Sequence, residues 1–330
     1  MKVAINGFGR IGRSFLRAVL QDASSKIEVV AINIGPQGTD GIAHLFKYDT
    51  TMGTYQGSVS FSGDILTVDN HAIKILTEAD PEKLPWKDLG VEWVVESSGR
   101  FTKKEEAQKH ITAGAHKVLI SAPALDADKT IIMGLNQSDY NKDTDTIISL
   151  GSCTTNALVP LLDVLQDTCG IESAYMTTVH AYTNNQTLLD LEGKDLRRAR
   201  AAAENIIPTT TGAMKVVDHV MPSLAGKISG CSLRVPVSNV SLVDLAVVTR
   251  DQCNIDAVNA AFENASQTEW RSLLKVSDEP CVSSDYKGDS ASVIVDSLMT
   301  QVTGNLVKVF GWYDNEWGYS CRLRDFLLST

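Results

Sequence analysis

A glycine-rich turn between a short apolar strand and an amphipathic helix is the feature that most restricts how this chain can fold. The strand is predicted over Lys2–Asn6, and Gly7, Gly9 and Gly12 follow it in the pattern GxGxxG. A second buried strand over residues 27–33 completes a βαβ unit of about 30 residues, the setting in which this pattern binds a dinucleotide. Gly7 permits a tight turn, Gly9 lets the backbone approach a pyrophosphate, and Gly12 lets helix and strand pack closely. The N-terminus of the helix then faces the phosphates.

Length, composition and charge narrow the class of protein. The 330 residues suffice for two domains, and 21% charged with 43% hydrophobic residues are typical of a globular protein. No apolar run approaches the roughly 18 residues of a membrane span, and the first residues do not resemble a signal peptide. Six cysteines without a CxxC spacing predict reduced thiols in the cytoplasm and no metal site. A net charge of −10 argues against nucleic-acid binding.

The first half of the chain alternates strands and helices. Further strands are predicted over residues 92–96, 117–121 and 146–149, with a helix over residues 103–113 among them. This alternation is typical of a mostly parallel sheet wrapped by helices. We therefore expect an α/β, Rossmann-type dinucleotide-binding domain over residues 1–150.

Cys153 has the surroundings of a reactive thiol. It precedes apolar residues at helical spacing, and Gly170 marks the end of that helix, so Cys153 is predicted to open it. Unpaired N–H groups and the helix dipole at that position favour a thiolate and lower the pKa of a thiol. The alternative is a buried, unreactive cysteine, which the flanking hydroxyl and amide side chains disfavour.

His180 is the candidate base for that thiol. It lies 27 residues after Cys153, on a predicted strand that would place Thr178, His180 and Tyr182 on one side. An imidazole near a thiol can hold it as thiolate and later move protons. A purely structural histidine is the alternative.

Two further groups of residues indicate anion binding. Residues 194–200 form the densest basic cluster, and the hydroxyl groups of residues 209–212 suit phosphate oxygens; a solvated helix face is the alternative. Arg234 stands within an apolar strand, where a guanidinium needs a partner such as a substrate phosphate.

Strands dominate after residue 150. They are predicted over residues 174–182, 233–237, 240–249, 292–296 and 307–313, and one helix is predicted over residues 256–265. This pattern predicts an α+β catalytic domain over residues 151–317 with a mixed or antiparallel sheet. A closing helix over residues 318–330 is expected to pack back onto the first domain.

The end of the second strand leaves the choice of nicotinamide cofactor open. An acidic residue there usually accepts the ribose 2′-hydroxyl of NAD. Asn33 and Ile34 are not acidic, and the loop after them offers no Arg or Lys for the 2′-phosphate of NADP.

Taken together, these segments resemble the phosphorylating glyceraldehyde-3-phosphate dehydrogenase family from end to end. The matching segments are residues 5–13, 152–156, 177–184, 194–203, 206–213, 233–236 and 312–316. The cysteine segment and the basic segment are together highly specific, whereas the glycine pattern alone is not.

The resemblance implies oxidation of glyceraldehyde 3-phosphate to 1,3-bisphosphoglycerate with NAD or NADP and inorganic phosphate. Cys153 would attack the aldehyde, His180 would accept the hemithioacetal proton as hydride leaves, and phosphate would cleave the resulting thioester. The family resemblance also implies a homotetramer. Whether the physiological direction is glycolytic or biosynthetic stays open.

The resemblance further implies roles for individual residues. Thr183 and Arg234 would hold the substrate phosphate. The attacking phosphate would be held by Ser152, Thr154, Thr211 and Gly212, with Arg198 nearby. The cofactor would contact Gly7, Gly9, Arg10, Ile11, Gly12, Asn33, Ile34, Ser98, Gly99, Ser121 and, through its nicotinamide carboxamide, Asn315.

Some positions depart from the family pattern without removing a catalytic group. Leu150 and Gly151 stand where Asn-Ala is usual before the Ser-Cys pair. Ala157 stands where the family has a second cysteine, so Cys153 has no nearby thiol along the helix. Asn185 replaces an Asp two positions after the threonine of the substrate loop.

Two other departures concern the cofactor. Ile34 replaces the Asp that NAD-preferring members carry, which removes a charge that repels a 2′-phosphate. Leu191 and Glu192 replace Leu-Pro in a loop that reaches the neighbouring subunit's cofactor, and Glu192 would repel that phosphate. The sequence therefore predicts relaxed or NADP-tolerant specificity.

Three alternative functions are compatible with parts of the pattern. Erythrose-4-phosphate dehydrogenase shares the thiol and the histidine, but Thr183 and the basic cluster favour the three-carbon substrate. A semialdehyde dehydrogenase acting on aspartyl phosphate would share the nucleotide fold and the cysteine but not the basic cluster. A thiol-sensing, nucleotide-binding protein would use Cys153 only as an oxidation switch.

Overall fold

The computed structural model describes residues 1–22 and 24–330 and divides the chain into two compact units. The first unit comprises Met1–Ile131, Gln137–Gly151 and Ser320–Thr330, and the second comprises Ile132–Asn136 and Ser152–Tyr319. None of the helices in the described residues is long and apolar enough to cross a membrane.

The first unit is built on a mostly parallel sheet. Its strands are β1 (Lys2–Asn6), β2 (Glu28–Asn33), β3 (Val59–Ser62), β4 (Ile65–Val68), β5 (His71–Leu76), β6 (Trp93–Glu96), β7 (Lys117–Ile120), β8 (Lys129–Thr130) and β9 (Ile147–Ser149). Its helices are α1 (Arg10–Gln21), α2 (Ile42–Lys47), α3 (Trp86–Leu89) and α4 (Lys104–Thr112). The predicted alternation of strands and helices is confirmed. The ends of the predicted elements differ from the observed ends by no more than one residue.

The strand order of this sheet is β3-β4-β5-β2-β1-β6-β7-β9-β8. β1 pairs in parallel with β2 on one side and with β6 on the other, so the chain reverses its winding at β1. In such sheets the ligand crevice lies at the carboxyl ends of the strands beside this reversal. The antiparallel hairpin of β3 and β4 was not predicted, although Gly63, with φ +63°, marks its turn.

The second unit follows from Cys153 onward. Its strands are β10 (Ile171–Ala181), β11 (Ile207–Thr209), β12 (Ile228–Val235), β13 (Ser241–Thr249), β14 (Leu274–Ser277), β15 (Val293–Asp296), β16 (Gln301–Thr303) and β17 (Leu306–Tyr313). Its helices are α5 (Cys153–Cys169), α6 (Ala213–Val220) and α7 (Ile255–Gln267), and the last helix of the chain is α8 (Trp317–Ser329).

The second sheet is mixed, as predicted. Its order is β11-β12-β10-β13-β17-β15-β14, and β16 pairs with β17. β10 runs parallel to β12 and antiparallel to β13, so this long strand lies inside the sheet. Helix α5 packs on the sheet through an apolar face that includes Leu158, Leu161 and Leu165, all of which are fully buried.

Candidate active site

Cys153 is the first residue of α5, as the sequence predicts. Ser152 caps the helix, since its hydroxyl oxygen accepts a hydrogen bond from the backbone N–H of Thr155 at 3.1 Å. Leu150 is buried, and Gly151 has a φ of +63°, a conformation that a glycine adopts without strain. The thiol is therefore held at a helix N-terminus by local structure.

His180 supplies the partner of this thiol. Its Nε2 atom lies 3.7 Å from the sulfur of Cys153. Thr178 and His180 both lie in β10 and are almost completely buried. The strand ends at Ala181, so the prediction that Tyr182 shares their side is wrong: Tyr182 follows the strand and is exposed.

Arg234 lies beside His180 because of the strand register. β10 and β12 pair so that His180 and Arg234 are directly opposite each other. The Nη1 atom of Arg234 lies 2.7 Å from Nδ1 of His180, and it donates to the carbonyl oxygen of Ala181 at 3.0 Å. It also donates to the hydroxyl of Thr183 at 3.5 Å. Of the two predicted phosphate-binding residues, Arg234 thus contacts the candidate base and Thr183 contacts Arg234.

Burial changes the pKa of both members of this pair. It raises the pKa of the Cys153 thiol, although the positive charge of Arg234 and hydrogen bonds from Thr154 act to lower it. The prediction that the helix start lowers this pKa is therefore wrong for the net effect, since the desolvation of a thiolate outweighs the N–H groups. Burial and the charge of Arg234 also lower the pKa of His180 to about 3.

A buried tyrosine joins the helix start to the strand of His180. The hydroxyl of Tyr313 lies 3.0 Å from Oγ1 of Thr154 and 2.8 Å from Oγ1 of Thr178. Its ring also meets the His180 ring edge to face, with centroids 6.0 Å apart. Thr154 is thereby fixed at the start of α5. Its role and that of Tyr313 in orienting the site could not be inferred from the sequence, because they belong to segments 159 residues apart.

Asn315 is oriented by a serine of the neighbouring strand. The hydroxyl of Ser241 donates to Oδ1 of Asn315 at 2.8 Å and accepts from the backbone N–H of Ala181 at 3.0 Å. The oxygen of the Asn315 side chain is thus occupied, which leaves its N–H groups to donate to a ligand. Ser241 connects Asn315 to the strand end that also carries His180.

The basic cluster lies on a loop rather than on a regular helix. Arg198 donates to the hydroxyl of Thr209 at 2.8 Å and forms an ion pair with Asp195. The hydroxyl oxygen of Thr211 accepts from the N–H of Ala213 at 3.2 Å, so its own proton is not used by this bond. Gly212 precedes α6 and has open space where a Cβ would stand.

The predicted cofactor-binding turn lies in the first unit. Gly7 has a φ of +96°, and a Cβ there would overlap the backbone nitrogen of Ser98. A Cβ on Gly12 would likewise overlap the carbonyl oxygen of Gly7. Gly9 and Gly99, in contrast, have no neighbouring atom within 4 Å of the place that a Cβ would occupy. Gly7 and Gly12 therefore allow close packing within the unit, whereas Gly9 and Gly99 leave open space beside the backbone.

A buried carboxylate forms hydrogen bonds with residues beside this glycine turn. Glu96, at the end of β6, accepts hydrogen bonds from Nδ2 of Asn6 at 2.5 Å and from the backbone N–H of Ser98 at 2.8 Å. Nε2 of His110 lies 3.1 Å from the same carboxylate, and the indole N–H of Trp86 donates to Nδ1 of His110 at 3.0 Å. Because an indole N–H can only donate, the proton of His110 is on Nε2 and points to Glu96. The only feature of the sequence that could have indicated this network is the acidic residue Glu96 at the end of an apolar strand.

The remaining predicted cofactor residues border the same turn. The side chain of Asn33 forms hydrogen bonds with the side chain of Asn6 and with the backbone of Glu78, so its polar atoms already have partners within the first unit. Ile34, Ile11 and Ser121 are half-buried. Arg10 forms an ion pair with Asp49, whose side chain is almost fully buried.

Comparison with known proteins assigns both parts of the chain to one family. The family model "Glyceraldehyde 3-phosphate dehydrogenase, NAD binding domain" matches residues 1–104, and the model of the C-terminal domain of the same enzyme matches residues 152–315. Glyceraldehyde-3-phosphate dehydrogenase 1 of Bacillus cereus is 52% identical over 327 residues, which cover 98% of this chain and 96% of that protein.

Two other relatives agree with this assignment. Glyceraldehyde-3-phosphate dehydrogenase of Streptomyces coelicolor is 52% identical over 328 residues, 98% of this chain and 97% of that protein. The enzyme of the same name from Geobacillus stearothermophilus is 51% identical over 326 residues, 98% of this chain and 96% of that protein.

Proposed function

Because the chain belongs to the glyceraldehyde-3-phosphate dehydrogenase family, we propose that it oxidises glyceraldehyde 3-phosphate to 1,3-bisphosphoglycerate. Inorganic phosphate is the second substrate, and a nicotinamide dinucleotide accepts the hydride. The observation that carries this proposal is the continuous contact of a thiol, an imidazole and a guanidinium in the second unit, made by Cys153, His180 and Arg234.

The chemistry assigned to Cys153 and His180 follows from their contact. The thiol proton moves to Nε2 of His180 as the sulfur adds to the aldehyde carbon, and this proton then neutralises the oxygen of the hemithioacetal. His180 takes the proton back when hydride leaves, which produces a thioester. A bound nicotinamide supplies the acceptor for that hydride. Inorganic phosphate then attacks the thioester carbon, and the acyl phosphate leaves as the Cys153 thiolate is released.

We assign the phosphate of the substrate to Arg234 and Thr183. The buried Nε atom of Arg234 has no hydrogen-bond partner among the described residues, which supports binding of an anion there. The attacking phosphate is assigned to a second group of donors, namely Ser152, Thr154, Arg198, Thr211 and Gly212. The unused hydroxyl proton of Thr211 and the open space at Gly212 support this second group.

The glycine turn of the first unit fits a dinucleotide. Gly9 precedes α1 without a side-chain cap, and the space at Gly9 and Gly99 allows a pyrophosphate to approach the backbone. Gly7, Arg10, Ile11, Gly12, Asn33, Ile34, Ser98 and Ser121 are assigned to the same group. In the second unit, the free N–H groups of Asn315 would donate to the carbonyl oxygen of the nicotinamide carboxamide.

We further propose that the enzyme accepts NADP as well as NAD. Asn33 is committed to Asn6 and Glu78, and Ile34 after it carries no charge. Kinetics with both cofactors test this point: a preference for NAD beyond about a thousandfold in kcat/KM, roughly 4 kcal/mol, would refute it. Ile34→Asp should shift the preference towards NAD, and Ile34→Asn is the matched neutral control.

The covalent mechanism is tested by Cys153→Ser. This variant should lose phosphate-dependent oxidation of glyceraldehyde 3-phosphate while it still binds cofactor, as measured by fluorescence titration. Retained oxidation would refute the thioester route. Assays of the wild type compare its oxidation of glyceraldehyde 3-phosphate with that of erythrose 4-phosphate. Faster oxidation of erythrose 4-phosphate would favour the four-carbon alternative, and no oxidation of either aldehyde would favour the non-enzymatic one.

We also propose which part of the chain performs each function and how the chains assemble. We assign residues 1–150 with the C-terminal helix to cofactor binding and residues 151–317 to catalysis. A homotetramer is supported by the exposed leucines of the loop that carries the basic cluster, and the six free cysteines support a cytoplasmic location.

A further inference from the structure

Helix α5 ends on a cysteine that lies beside a segment from a distant part of the chain. Cys169 is the last residue of the helix, and its side chain is fully buried. The backbone N–H of Asp251 donates to the carbonyl oxygen of Cys169 at 2.9 Å, and the N–H of Arg250 donates to that of Gly170 at 3.0 Å. These two hydrogen bonds hold the segment between β13 and α7 along the end of α5.

This segment brings the thiol of Cys253 to the thiol of Cys169. The two side chains form a hydrogen bond with each other. Cys253 also packs against the apolar core to which Cys169 belongs. It is nevertheless partly exposed, and its neighbours Asp251, Gln252 and Asn254 are exposed. One thiol of the pair is therefore enclosed by the protein, and the other can be reached from solvent.

We propose that Cys169 and Cys253 form a reversible redox site, in which oxidation joins their sulfur atoms in a disulfide and secures the C-terminal end of α5. The hydrogen bond from Asp251 to Cys169 already holds the two backbone segments together, so the disulfide needs little backbone movement. In a reducing compartment the pair remains as two thiols, and the disulfide is transient. This inference goes beyond the proposed function and does not involve Cys153.

The reaction is balanced with a low-molecular-weight disulfide, such as glutathione disulfide, as the oxidant. The thiolate of Cys253 attacks one sulfur of the oxidant, the S–S bond of the oxidant breaks, and the first glutathione leaves with the proton that Cys253 released. The sulfur of Cys169 then attacks the sulfur of Cys253 in the mixed disulfide, and its proton goes to the second departing glutathione. The protein loses two electrons, and the oxidant becomes two thiols.

The surroundings of the two thiols determine the order of these steps. Burial raises the pKa of the Cys169 thiol to about 12, and Cys253 and Asp251 act in the same direction. A thiol that ionises so weakly does not start an exchange with an external oxidant, because the thiolate is the nucleophile. The partly exposed Cys253 therefore reacts first. Cys169 resolves the mixed disulfide, since the sulfur that it attacks is adjacent.

The test counts free thiols after treatment with glutathione disulfide. Cys153→Ser removes the candidate nucleophile, so five of the six free cysteines remain to be counted in denaturant. We expect the count to fall from five to three, and dithiothreitol to restore it. A count that stays at five, or lost thiols that carry glutathione rather than each other, would overturn the proposal.

Peptide mapping identifies the linked residues in the wild type. Digestion of the oxidised protein without reduction, followed by mass spectrometry, should give a linked pair of peptides that contains residues 169 and 253. A disulfide between any other two cysteines in place of this one would overturn the proposal.

Two variants in the Cys153→Ser background separate the pair from general oxidation of cysteines. Cys253→Val keeps an apolar side chain against the core and should lose no pair of thiols, because Cys169 then has no partner. Cys281→Ser is the matched control, since Cys281 is also partly exposed but lies beside Tyr286, and it should still lose two thiols. Loss of two thiols in Cys253→Val, or of none in Cys281→Ser, would contradict the assignment.

Thermal unfolding tests the effect of the disulfide on α5. The bond would join segments that are distant in sequence, and a disulfide that closes a long loop stabilises the folded state. Oxidised Cys153→Ser should therefore unfold about 5 °C above its reduced form, and the difference should vanish when Cys253→Val is added. An oxidised protein that contains the disulfide and unfolds at or below the temperature of the reduced form would overturn the stabilising role.

Discussion

At the residue scale, Cys153 and His180 are 3.7 Å apart, and burial acts on the pKa of each. His180 is buried and Cys153 is partly buried, and desolvation of the charged form is the largest influence on the pKa of each. Burial lowers the pKa of His180 to about 3, and the adjacent Arg234 adds to this effect.

A prediction about pH follows from His180. The imidazole has an ordinary value of 6.5 in the unfolded chain and about 3 in the folded one. Below about pH 6.5 the unfolded chain binds a proton that the folded protein does not, so His180 lowers the folding stability progressively between pH 6.5 and pH 3. Between pH 7 and pH 5 the wild type should lose about 2 kcal/mol more than His180→Gln, as measured by denaturant unfolding.

A histidine on the surface provides the control for this measurement. His44 is exposed, and His44→Gln should keep the pH dependence of the wild type. An equal loss of stability in the wild type and in His180→Gln would contradict the buried, neutral state of His180.

A second residue-scale prediction concerns Ser241. Ser241→Ala removes the donor to Oδ1 of Asn315 and the acceptor for the N–H of Ala181, so the Asn315 amide is free to rotate. The KM for the nicotinamide cofactor should rise about tenfold, equivalent to the loss of about one well-placed hydrogen bond, with a smaller change in the KM for aldehyde. Ser241→Thr keeps the hydroxyl and should retain most of the affinity. Steady-state kinetics in which each substrate is varied in turn would contradict this role if the two KM values rose together.

At the element scale, the ends of β1 and β6 are joined by groups that are distant in sequence. Glu96 accepts from Asn6, from Ser98 and from His110, and Trp86 completes the chain of hydrogen bonds. The buried carboxylate is thus satisfied by donors from separate elements of the unit, which is how a charge is tolerated in a protein interior. This arrangement fixes the backbone after β6 against the glycine turn after β1.

The glycines of that turn are predicted to differ in function. Gly7→Ala places a methyl group against the backbone of Ser98 at a φ of +96°, so it should destabilise the cofactor-free protein by several kcal/mol. Gly9→Ala has open space and an extended backbone, so the cofactor-free protein should unfold within about 1 kcal/mol of the wild type. Thermal unfolding measures this difference.

Cofactor titration of the same two proteins gives the complementary result. Gly9→Ala should bind the dinucleotide at least tenfold more weakly, because its methyl group occupies space assigned to the pyrophosphate. Unchanged affinity in a folded Gly9→Ala protein would place the pyrophosphate elsewhere.

At the scale of the whole molecule, each unit has its own apolar core, and each carries a different part of the proposed chemistry. The second unit also exposes apolar side chains on the loop between β10 and β11. Leu188 is 78% exposed and Leu196 is 81% exposed, in the loop that includes the basic cluster. Large exposed side chains of this kind are typical of a surface that another chain covers.

Assembly is therefore predicted to depend on this loop. Leu188→Glu and Leu196→Glu should shift the enzyme from the proposed tetramer to smaller species, as measured by size-exclusion chromatography with light scattering, because each would bury a charge in the proposed interface. Leu125→Glu alters an exposed apolar residue of the first unit and serves as the control. A wild type that is monomeric, or loop variants that remain tetrameric, would refute the proposed contact.

Much of the architecture could be predicted because its signals are local. The glycine turn, the helix opened by Cys153 and most buried strands have the residue periodicity of the elements they form. The β3–β4 hairpin and β14 escaped prediction, since strands of four residues show too little periodicity, and the partner of β14 lies 19 residues away along the chain. His110 lacked any local signal, because its role depends on Trp86 and Glu96, which reach it only in the folded chain.

The sequence by itself predicted the fold class of both domains, the candidate nucleophile and base, and a basic cluster suited to anions, from backbone preferences, apolar periodicity and side-chain chemistry that act over a few neighbouring residues. The individual phosphate-binding residues were instead implied by the family resemblance. Only the tertiary structure decided that His180 and Arg234, 54 residues apart, stand opposite each other, and that burial acts to raise the pKa of Cys153. The physical reason is that distances across strands and the desolvation of charge arise from long-range packing, and local sequence does not specify either of them.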